Sequence, residues 1–131
     1  MRILDTDVCI EILRGNTQVI ARRRSTVDRV ATTWITAAEL YYGAAKSRTP
    51  QDKMAVVKEF LGTLDILGLD ERGAGRFGIM KASLEKAGRG LADADLFIGA
   101  ICLAHDAFLV TGNRRHYERV EGLSLEDWMR G

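Results

Sequence analysis

The chain has 131 residues, of which 47% are hydrophobic and 28% are charged. This length suits one domain, and the composition is that of a folded protein rather than a disordered one. The 19 Lys and Arg residues nearly balance the 18 Asp and Glu residues, so the net charge of +1 neither favours nor excludes a nucleic-acid ligand. No apolar run has the length of a membrane span or the pattern of a secretion signal. We therefore expect one cytoplasmic domain over residues 1–131.

Short apolar segments alternate with helical patterns along the chain. Apolar runs typical of strands occur, in chain order, at residues 3–4, 30–35, 66–67 and 107–110, with a weaker candidate at 123–125. Helical spacing of apolar residues predicts helices at 8–13, 17–24, from Thr36 onward, 50–61, 77–87 and 93–105. Strands that alternate with helices predict a three-layer α/β/α fold with a central parallel sheet.

Several residues are expected in the core. The helix over 93–105 is apolar on nearly every face, which predicts that it is deeply buried. The helix that starts at Pro50 should bury Met54, Val57 and Leu61. The remaining candidates are two cysteines, expected to be reduced thiols, and two tryptophans, expected in the core or an interface: Cys9, Cys102, Trp34 and Trp128.

Acidic side chains follow the predicted strands or begin the helices beyond them. These residues, together with one amide, are Asp5, Glu39, Asp93, Asp95 and Asn113. In an open parallel sheet, ligands bind in the crevice beyond the carboxyl ends of the strands, so these groups should converge there. Carboxylates that share a crevice repel each other unless a cation neutralises them. Oxygen ligands without a His or Cys cluster select Mg²⁺ or Mn²⁺ over zinc, and hydrolysis of a phosphodiester is the natural use of such an ion.

Each candidate also has a purely structural interpretation. Glu39 completes a capping box with Thr36, and Asp93 is equally a helix N-cap. Asp95 opens an otherwise apolar helix, which favours a functional role. Asn113 suits a turn or an N-cap. The basic segment at 114–116 is adjacent to the expected crevice, where phosphate contact is an alternative to a solvent-exposed surface.

Four segments in this order resemble the motifs of VapC-type PIN-domain ribonuclease toxins and span nearly the whole chain. They are residues 3–7 (ILDTD), 36–43 (TAAELYYG), 91–100 (LADADLFIGA) and 109–113 (LVTGN). The resemblance implies a PIN fold and a metal-dependent endoribonuclease, the toxin of a type II toxin–antitoxin system, that leaves a 5′-phosphate and a 3′-hydroxyl. It further implies a homodimer and a cognate VapB antitoxin that blocks the acidic pocket.

The resemblance also implies roles for individual residues. Asp5 and Asp95 match metal-binding carboxylates, Glu39 matches the second acidic residue, and Asp93 is an acidic neighbour. Many PIN nucleases carry an acid where this chain has Asn113, which adds no charge, so the number of metal ions stays open between one and two. With Asp5 and Asp95 on Mg²⁺, Glu39 and Asp93 would position or deprotonate the attacking water.

Two other functional classes compete with this hypothesis. A haloacid-dehalogenase-like phosphatase would use Asp5 and Asp7 as its nucleophile and acid, but it leaves Glu39 and Asp95 without a role. A non-catalytic RNA- or protein-binding PIN module would retain the fold without turnover, and Asn113 gives this alternative some support. A purely structural domain requires every carboxylate to be a cap.

Overall fold

A computed structural model describes residues 1–130 and contains five strands and seven helices within them. The strands are β1 (Arg2–Leu4), β2 (Val30–Thr33), β3 (Asp65–Leu67), β4 (Phe108–Val110) and β5 (Leu125–Glu126). The helices are α1 (Thr6–Leu13), α2 (Thr17–Ser25), α3 (Trp34–Ala45), α4 (Pro50–Leu61), α5 (Glu71–Lys86), α6 (Asp93–Ala104) and α7 (Arg114–Tyr117). The strands form one sheet in the order β3-β2-β1-β4-β5, and every neighbouring pair is parallel. The predicted three-layer α/β fold is confirmed.

The strand order places the ends of β1 and β4 side by side. The chain builds outward from β1 to β2 and β3, and then returns to the other side of β1 with β4. This reversal creates a switch point, where parallel α/β sheets open their ligand crevice. Leu4 pairs with Val110 at the last position of both strands, so the residues that follow them, Asp5 and Thr111, emerge next to each other.

Alternating residues of the strands face two different cores. Leu4 and Val110 pack against α1 to α4, whereas Ile3 and Leu109 pack against α6. This alternation is the period of two expected for a sheet that is covered on both faces. Most of α6 is buried, as its uniformly apolar sequence predicted.

Some sequence-based expectations need correction. The second strand ends at Thr33, and α3 begins at Trp34 rather than at Thr36, because the Thr33 hydroxyl accepts a hydrogen bond from the Thr36 amide and caps the helix. On α4, Met54 is 37% exposed, and Phe60 joins Val57 and Leu61 in the core instead.

The cysteines and tryptophans were predicted with mixed success. Cys9 and Cys102 are buried free thiols, as expected. Trp128 is fully buried and donates a 2.7 Å hydrogen bond from Nε1 to Glu126, whereas Trp34 is 56% exposed and lies outside the core. No helix within residues 1–130 combines the length and the apolarity needed to cross a bilayer.

The two tryptophans provide a matched test of this packing. Trp128→Ala should lower the free energy of unfolding by about 3–5 kcal/mol, because it removes a fully buried aromatic ring and leaves a cavity. Trp34→Ala should change it by less than about 1 kcal/mol, as expected for a largely exposed side chain. Urea unfolding followed by far-UV circular dichroism measures both values, and equal losses would show that the assignment of the core is wrong.

Candidate active site

Asp5 lies at the centre of the crevice between β1 and β4. Its backbone N–H donates to the Val110 carbonyl at 2.9 Å, which extends the pairing of the two strands by one residue. The residue is 6% exposed; its Oδ1 accepts a hydrogen bond from the Thr6 amide at 2.9 Å and its Oδ2 from the Thr111 hydroxyl at 2.8 Å. The carboxylate is therefore held from two sides by elements far apart in sequence.

Thr6 connects this carboxylate to Glu39. The Thr6 hydroxyl donates to Glu39 Oε1 at 2.7 Å and lies 3.0 Å from the Thr36 hydroxyl. Glu39 lies in the second turn of α3, and Thr33 is the N-cap of this helix. The capping-box interpretation of Glu39 is wrong, because Thr36 is already inside the helix. The exposed Glu39 carboxylate instead faces the end of β1.

The two acids at the start of α6 have different surroundings. Ala92 occupies the N-cap position and makes no side-chain cap, so Asp93 is not an N-cap but the first helical residue. Its carboxylate is 59% exposed and accepts from Lys81 Nζ at 3.0 Å. Asp95 accepts from the hydroxyl of the buried Tyr117 at 3.3 Å. Of the two acids, Asp95 is the one whose charge acts on Asp5.

The segment after β4 closes the site. The Asn113 amide donates to the Thr111 hydroxyl at 2.9 Å, and the Gly112 amide donates to Asp7 Oδ2 at 2.9 Å. The Asn113 side chain occupies an N-cap position without a capping bond, and its Nδ2 lies 2.7 Å from His116 Nδ1. The backbone N–H of Asn113 thus contacts the site, whereas its side-chain amide contacts His116.

Thr6 and Tyr117 were not among the site residues predicted from the sequence, and Asp7 was named only for the phosphatase alternative. Thr6 and Tyr117 orient Glu39 and Asp95, and Asp7 receives the Gly112 amide. The position of Thr6 directly after Asp5, at the start of the first helix, was the only available signal. Nothing local in the sequence marks Tyr117, because its contact with Asp95 joins residues 22 positions apart.

The carboxylates of the site carry negative charge that the protein itself does not neutralise. Burial raises the pKa of Asp5 to about 7, and the charges of Asp7 and Asp95 add to this effect. Burial also raises the pKa of Asp7, with a further contribution from Asp127. In the part of the chain that the structure describes, Asp93 pairs with Lys81, but Asp5, Asp7, Glu39 and Asp95 have no basic partner within 4.0 Å.

This set of donors suits a hard divalent cation. Within residues 1–130, no three His, Cys, Asp or Glu groups form a ready-made cluster of ligands. A cation at this place would be held by one or two carboxylates and by water, which is the coordination that Mg²⁺ favours in proteins. A cation next to Asp5 would stabilise the charged form of this carboxylate, whose pKa is raised mainly by burial and further by the charges of Asp7 and Asp95.

The buried charge of Asp5 should make the metal-free protein less stable at high pH. Its pKa in the folded state lies above its ordinary value, so the folded protein binds the proton more tightly than the unfolded chain does. The free energy of unfolding therefore falls as pH rises from 3.8 to about 7. In EDTA at pH 8, the free energy of unfolding of Asp5→Asn should therefore exceed that of the wild type by a few kcal/mol, on the order of 1.4 kcal/mol per pKa unit. At pH 4 the two values should differ little.

Urea unfolding at both pH values measures this difference. Asp28→Asn is the control, because pairing with the N-terminus and Arg2 lowers rather than raises the pKa of Asp28. This variant should gain no stability between pH 4 and pH 8. If Asp5→Asn were destabilising at pH 8 in EDTA, the carboxylate would not be an uncompensated buried charge.

Comparison with known proteins agrees with this architecture. The PIN domain model matches residues 2–123. Among curated relatives, Ribonuclease VapC2 of Haemophilus influenzae is 36% identical over 97% of both chains, and the tRNA(fMet)-specific endonuclease VapC of Shigella flexneri is 34% identical over 96% of both.

Solved structures give the same result. The DNA-bound VapBC of Salmonella typhimurium contains a chain that superposes with a TM-score of 0.92 at 32% identity, over 97% of both chains. VapBC-1 of nontypeable Haemophilus influenzae superposes with a TM-score of 0.90 at 28% identity, over 98% of both. With its parallel sheet, its acidic crevice and these relatives, the chain belongs to the PIN-domain family and, within it, to the VapC group.

Proposed function

We propose that this chain is a divalent-metal-dependent endoribonuclease and the toxin of a type II toxin–antitoxin pair, acting as a single cytoplasmic domain over residues 1–131. The main support for the proposal is the group of carboxylates without a basic partner around the buried Asp5, at the switch point of the sheet. Relatives that align over almost the whole chain are named as ribonucleases, which supports RNA as the substrate.

Asp5 and Asp95 are the residues that would hold the metal ion, Mg²⁺ or alternatively Mn²⁺. Asp5 is fixed by Thr6 and Thr111, and Asp95 is oriented by Tyr117, so both carboxylates are held before any ligand arrives. When bound, the cation would neutralise charge on the scissile phosphate and supply an activated water for its hydrolysis. Such an arrangement avoids the cost of organising the ligands during the reaction.

Glu39 is our candidate for the group that accepts the proton of the attacking water. Its carboxylate is exposed to the crevice, and the Thr6 hydroxyl fixes one of its oxygens. The other oxygen is available to water, as a general base requires. Asp93 is proposed to have a secondary positioning role, because Lys81 already pairs with its carboxylate. Asn113 is proposed to act through its backbone, by holding Thr111 against Asp5.

The proposed partners follow from the relatives. Those from Haemophilus influenzae and Salmonella typhimurium are solved as VapBC complexes, so we propose a VapB-type antitoxin for this chain. The relative from Shigella flexneri is named for cleavage of tRNA(fMet), which makes this tRNA the first RNA to test. The homodimer implied by the sequence resemblance stays a prediction. The phosphatase and the non-catalytic module are not favoured, because the named relatives are nucleases.

Two neighbouring acids on α6 allow a matched test of the site. With Mg²⁺ or Mn²⁺, Asp95→Asn should reduce the rate of RNA cleavage by at least about 100-fold, as should Asp5→Asn, because each removes a proposed metal ligand. Asp93→Asn should reduce it by less than about 10-fold, since this carboxylate is ion-paired to Lys81. The measurement is single-turnover cleavage of tRNA(fMet) and of a pool of other RNAs, with EDTA as the metal-free control.

The fold of each variant is checked by its thermal unfolding. Wild-type cleavage that persists in EDTA would contradict the role of the metal. Equal loss of activity in Asp93→Asn and Asp95→Asn would contradict the proposed division between the two acids.

A further inference from the structure

A second polar pocket lies beside the acidic crevice, next to the segment that follows β4. It has a volume of about 520 Å³ and is lined by Gly112, Asn113, Arg114, Arg115 and Arg130. Its lining contains three arginines, no acid and no apolar side chain, although it adjoins a centre of uncompensated negative charge. The proposed metal site does not use this pocket.

The three arginines differ in how far they are already paired. Arg114 Nε lies 4.0 Å from Glu118, and the Arg130 guanidinium lies 3.6 Å from Asp127 while 77% of its side chain is exposed. Arg115 is exposed and has no acidic partner within 4.0 Å among residues 1–130. Loose or missing partners leave guanidinium groups available for an anion from outside the chain.

The pocket is mechanically tied to the acidic crevice. The Asn113 amide donates to the Thr111 hydroxyl, and the same hydroxyl donates to Asp5, so two hydrogen bonds link the pocket lining to the buried carboxylate. The Gly112 amide adds a third link through Asp7. The backbone that carries Arg114 and Arg115 is therefore held next to Asp5.

We propose that this arginine pocket binds a backbone phosphate of the RNA next to the one that is cleaved, with Arg115 as its main contact. The inference rests on the proposed ribonuclease function. RNA carries a phosphate at every nucleotide, and Arg binds phosphate through two parallel N–H groups. The absence of an apolar lining disfavours a protein segment, since the cores of protein interfaces are apolar and aromatic.

This role has a physical purpose in a site of this kind. The carboxylates that would bind the metal also repel an approaching RNA strand. Arginines on the adjacent rim offset this repulsion without touching the reacting atoms. Phosphate contacts of this type position the strand but carry no sequence information. Arg115 is accordingly a positioning residue, and its loss should affect binding rather than the chemical step.

The test compares Arg115→Ala with Arg24→Ala, a matched control at the end of α2, which leads to the opposite end of the sheet. Both substitutions are placed in the Asp5→Asn background, so that the RNA is not cut, and affinity for tRNA(fMet) and for a single-stranded RNA is measured from low to high salt. Arg115→Ala should weaken binding of both RNAs about equally and reduce the slope of log K against log salt by about 0.7, the value for one lost phosphate contact on a single strand. Arg24→Ala should leave the slope unchanged.

A second readout separates positioning from damage to the site. With Asp5 intact, Arg115→Ala should raise KM for a long RNA and leave cleavage of a dinucleotide, which has no neighbouring phosphate, at the wild-type rate. Loss of dinucleotide cleavage by Arg115→Ala, or a salt slope of Arg115→Ala equal to that of Arg24→Ala, would overturn the proposed phosphate contact. Cleavage of RNA by the wild type would in that case still support the nuclease function. An Arg115→Ala variant that kept its RNA affinity but lost affinity for the antitoxin would assign the pocket to a protein partner and also overturn it. Failure of the wild type to bind or cut any RNA would overturn both proposals.

Discussion

The burial of one carboxylate between two parallel strands governs the rest of the site. Asp5 continues β1 beyond its last paired residue and meets Thr111 at the same place on β4. A carboxylate in such a position is costly unless hydrogen bonds and a cation stabilise its charged form. The protein supplies the hydrogen bonds and, instead of a cation, places further acids nearby. Buried charges of this kind, which lower the stability of the fold, are typical of functional sites.

Two threonine hydroxyls turn this local constraint into a connected site. Thr111 joins Asp5 to the turn before Arg114 and Arg115, and Thr6 joins the start of α1 to Glu39. Each hydroxyl both donates and accepts, so it can link two groups that would not bond to each other directly. Asp5, Glu39 and the backbone of the arginine pocket are therefore positioned by the same short network, which crosses from α3 to the segment after β4.

Patterns within the sequence predict the order of the elements better than their contacts. The short apolar runs and the acids behind them indicated the parallel sheet and the crevice, because both follow from periodicity and topology. Met54 was placed in the core, and Trp34 in the core or an interface, by their apolar character; only the packing of whole helices shows that both side chains are exposed in this chain. The capping box at Glu39 failed because helix α3 starts two residues earlier than the local motif predicted. Tyr117 could not be found, since its partner is distant in the chain.

The pairing of β1 with β4 has a consequence for how the protein is made. The hydrogen bond from Thr111 to Asp5 joins residues 106 positions apart, and Trp128 completes the core still later in the chain. Contacts of such long range slow folding, because the entropy of closing the intervening loop opposes them. A ribosome has thus released almost the entire polypeptide before the acidic crevice can assemble. The acidic crevice therefore depends on both ends of the chain and cannot assemble from a polypeptide that lacks the segment from Thr111 onward.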